Sequence, residues 1–105
     1  MNATSIALSG LQAASMGFGV TANNVANVNS VDYKAQRLDL EEQQEGGVRA
    51  SALKESQEPT EQGGSNVDLA TEFTNSMLQA STYQANLKVM EAQKQVLGMT
   101  LDLKA

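Results

Sequence analysis

The chain has 105 residues, 41% of them apolar, and its aromatics are limited to Phe18, Tyr33, Phe73 and Tyr83, which bounds it to one small domain with little bulky material for a core. Its formal charge of −5 is uneven: residues 1–31 carry no charged side chain, 32–64 hold eight acids and four bases, and 65–105 hold four acids and three bases. The missing basic stripe argues against nucleic-acid binding, and the absence of Cys excludes disulfides and thiolate metal sites.

The first 30 or so residues lack the basic start and continuous apolar run of a cleavable signal peptide, and no apolar run reaches transmembrane length. Over residues 3–28 the pattern predicts a helix. Ala7, Leu11, Ala14, Phe18, Thr21, Val25 and Val28 alternate at spacings of four and three, the seam of a coiled coil. The other faces carry Ser, Thr, Gln and Asn, where a free surface helix ordinarily shows charge. Such a helix is expected to be surrounded by protein, either in an assembly or in a simple helical hairpin. Asn23, Asn24, Asn27 and Asn29 suit a helix exit near residues 27–30, because their short amides bind nearby backbone groups.

Residues 31–65 change character. Tyr33, Ala35, Leu38 and Leu40, then Val48, Ala50 and Ala52, suggest two short strands joined by the polar run EEQQEGG. The stretch ESQEPTEQGGS, residues 55–65, has the composition of a linker. From Asp68 to Leu103 a second helix is predicted, capped by Asn66 or Asp68, with Glu72 favourably placed against the helix dipole. Its stripe runs Leu69, Phe73, Ser76, Ala80, Tyr83, Leu87, Met90, Lys94, Leu97 and Leu101, with Met77, Val89 and Val96 widening it.

Catalytic chemistry is hard to build here. Without His or Cys the usual nucleophile–base pairs and His-based metal sites are unavailable, and GFG at residues 17–19 lacks the further glycine of a phosphate loop. Asp39, Glu41, Glu42 and Glu45 read as a solvated loop, and the Met residues as adaptable packing. No catalytic, cofactor-binding or metal residue is assigned, and neither a cofactor nor a small-molecule substrate is expected.

The stretch SGLQAASMGFGVTANNVANVNSVDYK, residues 9–34, resembles the N-terminal motif of the bacterial flagellar basal-body rod and hook axial proteins. The run Asn23-Asn24-Val25-Ala26-Asn27, followed by Tyr33 and Lys34, carries the likeness. Residues 65–103, including Tyr83-Gln84-Ala85-Asn86, resemble the same family's C-terminal helix. Where the family often reads Thr-x-Gly before the aromatic, this chain has Ser30, Val31 and Asp32. The short middle is most like the small proximal rod proteins.

The resemblance implies a mainly α fold: two long terminal helices packed antiparallel as a coiled-coil-like hairpin, with a short β-hairpin or irregular middle. Residues 1–30, 31–65 and 66–105 would together form one domain. It implies a structural subunit, exported by the flagellar type III apparatus, that assembles with copies of itself and other axial proteins into a helical tube transmitting torque. The tube would belong to the basal body, with the terminal helices inside and the middle facing outward. A non-polymerising regulatory or chaperone-like paralogue is the alternative. Expected interface residues are Leu11, Phe18, Val25, Phe73, Tyr83, Leu87, Met90 and Leu97, with Leu11, Phe18 and Val25 packing on Phe73, Leu87 and Met90. Asn23, Asn24, Asn27 and Tyr33 are expected at the helix exit.

Overall fold

A computed structural model describes residues 2–104, with side chains through Gly98. In chain order it contains α1 (Ala3–Ala26), β1 (Gln36–Glu42), β2 (Val48–Glu55) and α2 (Leu69–Lys104). The molecule is elongated, 68 × 25 × 14 Å. The fold is mainly helical, with two long helices packed together and a small antiparallel sheet between them in sequence, as the residue pattern predicts.

The helix α1 starts under Asn2, whose side chain accepts from the Ser5 amide at 2.8 Å. It runs unbroken through Gly10, Gly17 and Gly19 to Ala26, then closes on Asn27. The Asn27 amide nitrogen of the backbone donates to the carbonyls of Asn23 and Asn24, and its side chain donates to the Asn23 carbonyl at 2.9 Å. The asparagine-rich exit therefore satisfies carbonyls that the helix end would leave open.

Strands β1 and β2 pair antiparallel from Gln36↔Glu55 to Glu42↔Val48, with an irregularity between Asp39 and Leu40. Gly46 and Gly47 turn the hairpin at φ of 100° and 86°, a region that side chains disfavour. The hairpin lies along α1. Gln36 sits beside Asn24, Val48 donates to Ser9 Oγ at 3.1 Å, and Gly46 lies against Ile6. Both α2 and the sheet pack on α1, while among the described residues the backbones of α2 and the sheet stay more than 8 Å apart. The uncharged character of α1 thus has an intramolecular cause as well, since neighbours flank it on two sides.

The segment with linker composition is tied down. Ser65, buried, donates from Oγ to the Val28 carbonyl at 2.6 Å. Asn66 accepts from the Ala35 amide at 2.6 Å and donates to the Glu58 carbonyl at 2.8 Å. Asn66 is therefore a loop staple, and Asp68 is the cap of α2: its carboxylate accepts from the Ala70 amide and from Thr71 Oγ1. Asp32 holds a left-handed backbone, φ 61°, and its amide donates to the Gly64 carbonyl at 2.9 Å. Aspartate tolerates this region better than most side chains, so the turn survives without a glycine.

The helices meet along a different line from the expected seam. Ala7, Leu11, Ala14 and Thr21 are buried as predicted, but Gly10, Gly17 and Asn24 are buried with them. Phe18 and Val25 are exposed. On α2 the expected stripe loses Leu69, Phe73, Leu87 and Leu97 to solvent, and Glu72, Gln79, Asn86 and Gln93 turn inward. A Cβ on Gly10 would meet the Asn86 amide at 2.5 Å, and one on Gly17 would collide with the Gln79 amide. The glycines let α2 approach closely, and polar side chains of α2 rest on bare α1 backbone. The expected packing of Phe18 and Val25 on Phe73 and Leu87 within one chain is accordingly replaced by this small-on-polar contact. The side chain of Leu101 lies outside the described residues.

Candidate assembly surface

At one end of the hairpin, Asn24 joins α1, β1 and α2. Its side chain is 1% exposed. Oδ1 accepts from Tyr33 Oη at 2.9 Å and from the Gln36 amide at 2.8 Å. Nδ2 donates to the Gln36 carbonyl at 2.8 Å and to Glu72 Oε1 at 2.9 Å. Two donors and two acceptor sites are all an amide offers, and all are used. Asn23 supports the hub by donating to Tyr33 Oη at 3.0 Å. Ser30 donates to Asn27 Oδ1 at 3.0 Å and braces the exit.

Glu72 supplies the α2 side of this junction, a role its position near a helix start did not reveal. Its residue is 4% exposed, and Oε2 is buried without a hydrogen-bond partner among the described residues. Burial pushes its carboxyl above the ordinary range, the bond from Asn24 partly offsets this, and nearby Asp68 adds to the rise. Burial likewise raises the Tyr33 hydroxyl, against the bond from Asn23, with Glu72 and Glu55 contributing. A detectable signal existed in the sequence: Glu72, Gln79, Asn86 and Gln93 recur at heptad intervals, a polar row beside the apolar one.

The acids weighed as a solvated loop divide into two sets. Asp39 lies between Arg37 at 3.1 Å and Lys54 at 3.0 Å, and Glu41 pairs with Arg49. The Lys54 hydrogen bond, then Arg37, holds the Asp39 carboxyl below its usual value against the opposing cost of burial. Glu42 and Glu45 lie at the hairpin tip, both exposed. Among the described residues no group of three or more His, Cys, Asp and Glu is placed to hold a metal, and no helix is long and apolar enough to cross a membrane.

Apolar side chains instead crowd the outside of both helices. On α1 these are Ile6, Leu8, Met16, Phe18 and Val25; on α2 they include Phe73, Met77, Leu78, Leu87, Val89 and Leu97. Of the residues expected at interfaces, Phe18, Val25, Phe73, Tyr83, Leu87 and Leu97 are exposed, Met90 is half-buried and Leu11 is buried. Both helices of a frame only 14 Å thick thus carry extensive exposed apolar surface.

Comparison with known proteins points the same way. The family described as "Flagellar basal body rod FlgEFG protein C-terminal" matches residues 62–103. The flagellar basal-body rod protein FlgC of Salmonella typhimurium is 32% identical over 129 aligned positions, covering 98% of this chain and 96% of that protein. FlgC of Escherichia coli O157:H7 is 31% identical and that of Yersinia enterocolitica 30%, with the same coverage. The aligned span exceeds the 105 residues present, so these relatives carry residues that this chain lacks.

Proposed function

The chain belongs to the flagellar basal-body rod protein family, and from that premise we propose that it builds the rod through the apolar outer faces of its terminal helices. A structural role in the basal-body rod follows from membership, as does assembly with itself and other rod components. The proposal adds where and how. Phe18 and Val25 on α1, and Phe73, Tyr83, Leu87, Met90 and Leu97 on α2, meet helices of neighbouring subunits in a helical tube. Leu11 supports them from within the hairpin.

One observation carries this reading: the hairpin closes on small and polar residues and leaves its large apolar residues outside. Burying one such side chain against a neighbour contributes about 2 kcal/mol, so several repeated on each subunit suffice to drive polymerisation. The ion-paired hairpin, carrying Arg37, Asp39, Glu41, Arg49 and Lys54, suits the outward face of the tube. Torque would pass through the packed helices, and export would use the flagellar type III apparatus.

Complementation of a gene deletion tests the proposal. The intact gene should restore rods and swimming. A Phe18→Glu, Phe73→Glu double variant should not, although the purified variant keeps its helical content. Full restoration by that variant would refute the interface. Normal rods in the deletion strain, with altered assembly timing, would favour a regulatory paralogue.

A further inference from the structure

The second helix outruns the surface that the first one offers. The register setting Asn86 on Gly10 and Gln79 on Gly17 reaches Ala3 opposite Gln93, one heptad further on. Gln93 is half-buried, whereas Lys94, Gln95, Val96, Leu97 and Gly98 are all exposed. Helix α2 continues to Lys104, so at a rise of about 1.5 Å per residue it overhangs α1 by roughly 16 Å. Leu97 lies one heptad beyond half-buried Met90, yet it is 61% exposed. Among the described residues no sheet backbone comes within 8 Å of α2, so the sheet does not cover Leu97.

The other end of the molecule offers the complement. Around the Asn24 junction, Val25, Val31, Leu69 and Phe73 are exposed, the last at 69%. The same end carries exposed Asp32, Glu58, Glu61 and Asp68 against the single base Lys34. By sequence the overhang, residues 94–104, holds two bases, Lys94 and Lys104, against one acid, Asp102, and Lys94 is exposed and in no ion pair among the described residues. Two acidic ends would repel one another, whereas the overhang is complementary to the acidic end in both charge and apolarity.

We infer that the α2 overhang of one copy seats on the Asn24 end of the next, with Leu97 against Val31, Leu69 and Phe73 and with Lys94 among Glu58, Glu61 and Asp68. This rests on the assembly reading above and gives it a direction. The contact is heterologous, joining unlike surfaces, so it propagates along the long axis instead of closing into a symmetric dimer.

Because the chain has no Cys, introduced pairs report cleanly. Positions 73 and 97 are about 36 Å apart along one helix, too far for an intrachain disulfide. Purified full chain carrying both Phe73→Cys and Leu97→Cys, oxidised, should give a ladder of dimers, trimers and longer species. Either single variant alone should stay uncrosslinked, because its one thiol faces a residue without one, and mixing the two single variants should give a mixed dimer; like-with-like dimers of a single variant would overturn the heterologous contact. Val31→Cys with Leu97→Cys provides a second pair if Phe73→Cys perturbs folding. Adding Lys94→Glu should lower the ladder about fivefold, and adding Glu58→Lys and Glu61→Lys to that variant should restore it. If the chain sediments as polymer but neither pair forms a ladder, the end-to-end contact is overturned and rod assembly stands. A chain that stays monomeric and uncrosslinked at every concentration overturns the contact and the assembly reading together.

Discussion

Along the line where α1 meets α2 lie Gly10, Gly17 and Asn24, facing Asn86, Gln79 and Glu72. One residue further round each helix lie Phe18 and Val25, and Phe73 and Leu87, exposed. A rule of burying the most apolar residues would choose the second set. The chain buries the first, because two glycines permit a close approach and because the Asn24 amide finds four partners only in that rotation. The inner line sets register through shape and hydrogen bonding. The outer line holds apolar area that a single chain leaves unused. In an assembling subunit the two tasks are thus kept on separate faces.

That contrast can be broken most directly at Asn24. Asn24→Ala leaves the Gln36 amide and carbonyl, Tyr33 Oη and Glu72 Oε1 without their partner. Stability should fall by about 3 kcal/mol or more, read from urea denaturation; a loss below ~1 kcal/mol would show that the hub does not hold the helices together. Gly17→Leu should cost about 2 kcal/mol by pushing Gln79 and the rest of α2 outward. Gly19 faces open space, so Gly19→Ala on the same helix should instead raise the melting point, by about 1 kcal/mol of helix propensity.

Titration sharpens the same junction. The folded Glu72 carboxyl is raised, so its stabilising contribution is full below the unfolded value and is lost as pH rises through the folded one. Glu72→Gln keeps an acceptor for Asn24 and removes the charge. The parent should therefore lose stability relative to this variant as pH rises above the ordinary carboxylate range; identical pH dependence of the two would refute an ionisable burial penalty. The smallest effect on the isolated chain is expected on the outer line. Phe18→Ala should change monomer stability by less than about 1 kcal/mol, because Phe18 is already 37% exposed, while sedimentation shows weakened self-association.

Much of the architecture was legible from residue patterns. The two long helices, the hairpin over Gln36–Glu55 and the Asn27 exit follow from apolar periodicity, turn glycines and short amides. The Asn24 junction was half legible. A dense asparagine run marks a helix end, but nothing local to it specifies that one amide reaches Glu72, distant in sequence. The loop roles of Ser65 and Asn66 were hidden for the same reason, since a glycine- and acid-rich segment looks like a linker until its long-range partners are seen. The left-handed Asp32 was visible only as a departure from the family's turn.

The sequence by itself determined which segments become helices, where they start and stop, and that charge is kept off the first. Those properties depend on neighbours within a few residues, through capping, propensity and spacing. The family, too, was readable from its two end motifs. Only the tertiary structure decided which face of each helix turns inward. Shifting the seam by one residue rotates a helix about 100°, and both the apolar and the small-polar column have the heptad spacing that would allow it. Periodicity cannot choose between two columns of equal period. Close approach at Gly10 and Gly17, and full satisfaction of Asn24, make the choice, and the apolar column is thereby left exposed.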